Sequence, residues 1–144
     1  MPREFLEEIM AVRANERGES SVEFLHTAHE LEIFTLKAIH NEKIIPKRYR
    51  LTYGSKILEH AITINNCVRT GNKIYLNKQN YPKRAQCQRK AKYELELLIE
   101  RLQVASEIFP IKDTVLETWT GLLLKEDKAI KNWIESDKKR IEKE

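Results

Sequence analysis

At 144 residues and 17.0 kDa the chain has room for one domain and one core, which excludes an enzyme built from separate cofactor and substrate halves. Its 26 basic and 22 acidic residues leave a net charge of only +4, and 41% apolar residues suffice to fill an interior, so the chain as a whole is not a disordered one. Four glycines and four prolines are too few for the turns of an all-β sandwich or barrel, and long helices are the expectation.

The start, Met1-Pro2-Arg3-Glu4-Phe5-Leu6-Glu7-Glu8, is too acidic and interrupted for a signal peptide, and no stretch reaches the roughly 18 apolar residues of a membrane span, so a cytoplasmic location is expected. Residues 1–19 read either as a short amphipathic helix through Phe5, Leu6, Ile9, Met10 and Val12, ending at Gly18, or as an acidic arm.

A four-helix bundle follows over residues 20–138, with a charged tail over 139–144. The first long helix opens at Ser20 with Glu23 as a capping box, carries Phe24, Ala28, Leu31, Phe34 and Ala38 on one face, and ends near Asn41 ahead of Pro46. The second runs from Lys47 to Leu76 with the stripe Ile57, Ala61, Ile64, Val68 and Tyr75; Gly54 and Gly71 on that stripe mark a close helix approach or a bend, and Gly71 is an alternative helix end. The third, from Pro82 to Phe109, has the cleanest row, Ala91, Leu95, Leu98, Leu102, Ala105 and Phe109, while its basic first turns are expected to project from the core or face a partner. The fourth starts at Thr114 with Glu117 as a second capping box, sets Leu116, Trp119, Leu123, Ile130 and Trp133 along one face, and frays from Asp137 onward. Helices of this length with short connections give an all-α, antiparallel, up-down-up-down four-helix bundle.

Charge is unevenly spread along the chain. Between Lys43 and Lys92 thirteen basic residues meet one acid, Glu59, so the rest of the chain is acidic. Such density suits a polyanion, whose counterions it would release, although charge alone does not separate RNA from DNA or from an acidic protein. Lys47, Arg48 and Arg50, clustered at a helix start, with Lys56 on the same helix, are the first candidates for nucleic-acid contact. Lys83, Arg84, Arg89, Lys90 and Lys92 follow, then Lys138, Lys139 and Arg140. Tyr49, Tyr53 and Tyr81 interleave this run and suit either base stacking or packing at helix junctions, and Trp119 and Trp133 are assigned to the core or a subunit interface.

Catalytic patterns are missing by spacing. Glu23-x-x-His26 is the sole Glu-x-x-His, where a bundle di-metal site needs two, and the His26/His29 pair lacks a predictably convergent third ligand, so no metal is expected. No histidine is preceded at four to six residues by an arginine, as in bundle-type ribonucleases, and there is no phosphate-cradling glycine loop or nucleophile elbow. Cys67 and Cys87 belong to no metal-binding or disulfide framework and read as free thiols. The expectation is a protein that is not an enzyme and holds no cofactor.

The segment Ile45-Pro46-Lys47-Arg48-Tyr49-Arg50-Leu51, followed by Ile57 and Ala61, resembles the start of the second helix in a family of small bacterial four-helix-bundle proteins. That family includes proteins encoded in ribosomal RNA intervening sequences and the accessory variability determinants of diversity-generating retroelements. Trp119-x-x-Leu122-Leu123, then Ile130 and Trp133-Ile134 before a basic tail, is similar to the closing helix of the retroelement branch, and the row Leu95 to Ala105 to its third helix. Lys131, Asn132 and Glu126 depart from that pattern, Glu126 standing where an apolar residue is usual. The resemblance implies a non-catalytic accessory protein that forms a homopentamer, binds the reverse transcriptase and template RNA (or an RNA/DNA hybrid) through the candidate basic residues, and supports mutagenic retrohoming. The alternative is an oligomeric interaction scaffold, or a general RNA-binding protein, with no retroelement role.

Overall fold

Among the described residues, apolar residues recurring every three or four positions form four helices, with the segments around Pro46 and Pro110 among the separators. The computed structural model describes residues 22–144, so the acidic N-terminal segment and Ser20 lie outside the described residues. Helix α1 spans Glu23–Ile39, α2 Ser55–Lys73, α3 Tyr81–Ile108 and α4 Asp113–Glu142; a 3-10 turn, Lys47–Tyr49, and a π-turn, Arg50–Gly54, lead into α2. Cross-helix pairs set the register. Ile39 faces Gly54 and Glu32 meets Asn65; His60 meets Glu94 and Gly71 faces Cys87; Arg84 meets Asp137; Phe24 stacks on Trp133 while Thr35 bonds Trp119. Each pair descends one helix as it climbs the next, so the bundle is antiparallel, up-down-up-down, with α4 closing on α1.

The expected rows form the core: Phe24, Ala28, Leu31 and Ala38 from α1, Ile57, Ala61, Ile64 and Val68 from α2, Ala91 to Phe109 from α3, and Trp119, Leu123, Ile130 and Trp133 from α4 are all buried. Both tryptophans are thereby core residues. Trp119 is fully buried and donates from Nε1 to Thr35 Oγ1 at 3.0 Å, and Trp133 stacks on Phe24 at 4.0 Å between ring centroids.

Five local expectations are corrected or decided. α2 proper begins only at Ser55, because Pro46, extended at ψ 140°, starts a tight turn and the chain then widens into a π-turn before regular hydrogen bonding is reached. α2 also stops at Lys73, where Ile74 turns extended, so Tyr75 leaves the stripe and stands 77% exposed. Gly71 does not end that helix but lies inside it; an added Cβ would sit 2.9 Å from Trp133 Cη2 and 3.0 Å from Cys87 Cβ, the close approach that makes glycine necessary there. The Thr114/Glu117 capping box does not form, because α4 begins at Asp113 with the extended Lys112 as its N-cap, two residues ahead of Thr114; α1 has Val22 at its N-cap without a side-chain bond, and the expected partner Ser20 lies outside the described residues. Nor does the charged end fray from Asp137, which is buried; α4 remains helical to Glu142.

Glu126 occupies a core position of α4 with no exposed surface, and neither carboxylate oxygen has a hydrogen-bond partner among the described residues. Burial, aided by the negative charge of Glu23, pushes its carboxyl up from 4.5 to about 9, so it is a neutral acid at pH 7. The folded state binds this proton more tightly than the unfolded state. Its contribution to stability is therefore fully present below pH 4.5, falls as pH rises toward 9, and by pH 7 is diminished by roughly 3 kcal/mol. Glu126→Leu is expected to stabilise the bundle by an amount that grows from pH 5 to pH 8 in urea unfolding, and a gain of equal size at both pH values would refute the buried-acid assignment. Gly71→Ala is expected to lower stability by about 1–3 kcal/mol in the same assay, through overpacking against Trp133; an unchanged midpoint would show that the contact yields.

Candidate nucleic-acid interface

Antiparallel topology decides where the thirteen basic residues go. The stretch starts at the end of the bundle that holds the α1–α2 connection (the upper end) and runs down α2 to the α2–α3 connection (the lower end). It then turns back up α3. The 19 residues of α2 separate the two ends by about 28 Å at 1.5 Å per residue. The candidates thus fall into separate groups.

At the upper end the 3-10 and π-turns carry Lys47, Arg48 and Arg50, with Lys56 in the first turn of α2. Lys47, Arg48 and Lys56 are exposed; the Arg48 guanidinium lies 4.9 Å from the Tyr49 ring centroid, and Lys56 meets Glu59 at 3.8 Å, a solvent-screened pair of small worth. Arg50 is half-buried, with Nη2 donating to His40 O at 3.4 Å and Nε buried without an acceptor among the described residues. Leu51 stands among these cations 84% exposed. Tyr49 and Tyr53 are not free for bases: both pack on Phe109, at 5.1 and 5.9 Å between centroids, and Tyr53 donates to Arg101 O at 3.2 Å. Tyr81 is half-buried at the start of α3.

At the lower end the first turn of α3 meets the last turns of α4, so Lys83 and the tail residues Lys138, Lys139 and Arg140 share one end of the molecule, all exposed. Arg84 is the exception among the candidates. Only 8% exposed, it donates from Nε and Nη2 to the two carboxylate oxygens of Asp137 at 2.6 and 3.0 Å, and from Nη1 to Ile74 O at 2.9 Å. Gln88 adds a bond to Asp137 at 2.7 Å, and the Arg84 guanidinium rests 5.5 Å from the Trp133 ring. Arg84 is a structural residue, not a phosphate ligand, and it ties the first turn of α3 to α4, whereas Lys83, Arg89 and Lys90 on the same turns are exposed as expected. Arg89, Lys90 and Lys92 lie further along α3, Lys92 half-buried. Arg69, between the ends, is committed to Asn65 at 2.9 Å.

Sequence reasoning missed two features of the lower end. One is Tyr75, exposed on the α2–α3 connection; the other is a cleft of about 760 Å³ that Tyr75 lines together with Trp133, Arg84 and Asp137. The row Arg84-Gln88-Ala91-Leu95 continues the core spacing backwards and could have marked Arg84 and Gln88 as inward-facing.

The histidines are tied to separate partners: His26 to Glu30 and His60 to Glu94, each at 2.7 Å, His40 to Leu36 O at 2.9 Å, and His29 toward Arg69 at 3.5 Å. No group of three or more His, Cys, Asp or Glu converges as a metal site among the described residues. Both cysteines are free thiols, and burial pushes that of Cys67 up. No helix among the described residues is long and apolar enough to cross a membrane. No family model, no curated protein and no solved structure matches the chain.

Removing the Arg84 guanidinium would strand a buried carboxylate. Arg84→Ala is therefore expected to cost about 3–5 kcal/mol, and pairing it with Asp137→Ala to recover part of that loss in a double-mutant cycle. Additive losses would show that the two side chains act independently.

Proposed function

We propose that this chain is a non-catalytic accessory subunit of a diversity-generating retroelement, acting in the cytoplasm, which binds the reverse transcriptase and its template RNA through basic ends and supports mutagenic retrohoming. The observation that carries the reading is a pair of exposed cation groups, Lys47, Arg48 and Lys56 at one end and Lys83, Lys138, Lys139 and Arg140 at the other, on one rigid bundle. Groups so far apart suit an extended polyanion, or a polymerase on one end and RNA on the other. The order of the helix-two, helix-three and tryptophan motifs supports the retroelement assignment; Ile45, Ile57, Ala61, Leu95, Leu98, Leu102, Ala105, Trp119, Leu123, Ile130 and Trp133 of those motifs are buried, while Leu51 is exposed.

Assembly into a homo-oligomer, a pentamer by the same resemblance, draws support from α3. Its side away from the core carries Tyr93, Val104 and Ile108, 59%, 48% and 67% exposed, and repeated copies would multiply weak phosphate contacts by avidity.

The test is co-purification with a reverse transcriptase and its template RNA, with the mass of each species read by light scattering. A ring-sized oligomer that retains both is the expected result; capture of polymerase without RNA affinity would leave the scaffold reading, and a monomer that ignores both would leave only the fold. The double variant Lys47→Glu/Arg48→Glu is expected to weaken RNA or polymerase binding at least tenfold and to flatten its salt dependence, whereas unchanged binding across a salt titration would remove the upper end from the interface.

A further inference from the structure

We propose that the cleft at the lower end is a binding site for unpaired RNA, with a base stacked on Tyr75 and the adjoining phosphates held by Lys73 and Arg140. The inference rests on the RNA-binding reading above and deepens it, by naming the site and the single-stranded form of the ligand.

Tyr75 is 77% exposed, so its ring is open to a stacking partner. Its loop is nevertheless fixed at several points. Arg84 holds the carbonyl of Ile74 at 2.9 Å and Asn80 holds that of Tyr75 at 3.2 Å. The Asn80 amide donates to Asn77 Oδ1 at 2.7 Å, and the Tyr81 amide to Asn77 O at 2.9 Å. An exposed ring on a pinned backbone is a preorganised platform, for which little further ordering is required when a base stacks on it.

The cleft beside it is of nucleotide size, about 760 Å³, and its walls offer amides and a hydroxyl, Asn72, Asn132 and Ser136, that can bond base edges. Lys73 and Arg140 bring positive charge to the same walls. Of the lining acids, Asp137 is spent on Arg84 and Gln88, while Glu144, whose backbone oxygen accepts from Lys78 at 2.8 Å, keeps its side-chain carboxylate at the margin of the cleft. Glu23, on the α1 side, repels phosphate and so directs the backbone toward Lys73 and Arg140. A duplex keeps its bases stacked on one another and has none to offer Tyr75, so the arrangement selects a single strand.

The experiment measures binding of the full chain to a short oligouridylate and to a blunt RNA duplex of equal length by fluorescence anisotropy, with thermal unfolding as the folding control. Preference for the single strand, a loss of about tenfold in Tyr75→Ala, retention in Tyr75→Phe and a flatter salt dependence in Arg140→Gln are the expected results. Equal affinity for the duplex, or a Tyr75→Ala variant that binds the single strand as the parent does, would overturn this site while leaving RNA binding intact. A parent chain that binds neither RNA would instead bring down the RNA-binding reading itself.

Discussion

All four helices meet at the Trp133 indole. Phe24 of α1 stacks on it, Gly71 of α2 lies against its edge, the Arg84 guanidinium of α3 sits over it, and α4 supplies the ring. A rigid surface that large admits few arrangements of its neighbours, and each neighbour constrains a further element. Gly71 fixes how closely α2 approaches α4, Arg84 brings α3 to Asp137 one turn beyond the indole, and the same guanidinium holds the carbonyl of Ile74. The position of the α2–α3 connection, and with it Tyr75, follows from packing around one side chain.

The core was legible because its rows are regular. Ala91, Leu95, Leu98, Leu102, Ala105 and Phe109 obey one helical spacing, and all are buried. Polar residues on the same rows are harder to place, and of these only Glu126 stands out in the sequence, against the family pattern. Arg84 and Gln88 extend the α3 row backwards at steps of four and three; Glu126 and Asp137 fall at the α4 positions between and beyond Leu123, Ile130 and Trp133. Residue type argued for the surface and position argued for the interior, and position won where partners could be found. Arg84, Gln88 and Asp137 satisfy one another, whereas Glu126 has no such set and loses its charge instead.

Charge was misleading for a different reason. A run of thirteen cations along fifty residues reads as one band only if the chain is taken as a line. Folded as α2 and the first half of α3, the run crosses the molecule and partly returns, so its two dense portions lie at opposite ends. The tail cations, remote in sequence from Lys83, join it at the lower end because α4 is antiparallel to α3. Connectivity could have suggested this grouping from the expected topology alone. The exclusion of Arg84 could not follow from connectivity, since it depends on which side of the helix each cation occupies, and Lys83 and Arg84 differ by a single step of about 100°.

The two ends also differ in how firmly they hold their cations. Lys47, Arg48 and Arg50 sit on short 3-10 and π-turns, secured by the packing of Tyr49 and Tyr53 on Phe109 and by one long bond from Arg50 to His40. The lower end rests on a buried ion pair, two bonded loop carbonyls and an asparagine-capped turn. An adaptable surface with an exposed leucine among cations suits a macromolecular face whose shape must be matched side chain by side chain. A fixed aromatic beside a cleft suits a small repeated unit such as a nucleotide, for which loss of rigidity would directly reduce affinity. If the chain assembles into a closed ring, every copy presents the same end to the same side. Single-stranded RNA would then meet a circle of equivalent platforms, and weak stacking at each would add through effective concentration instead of through tighter individual sites.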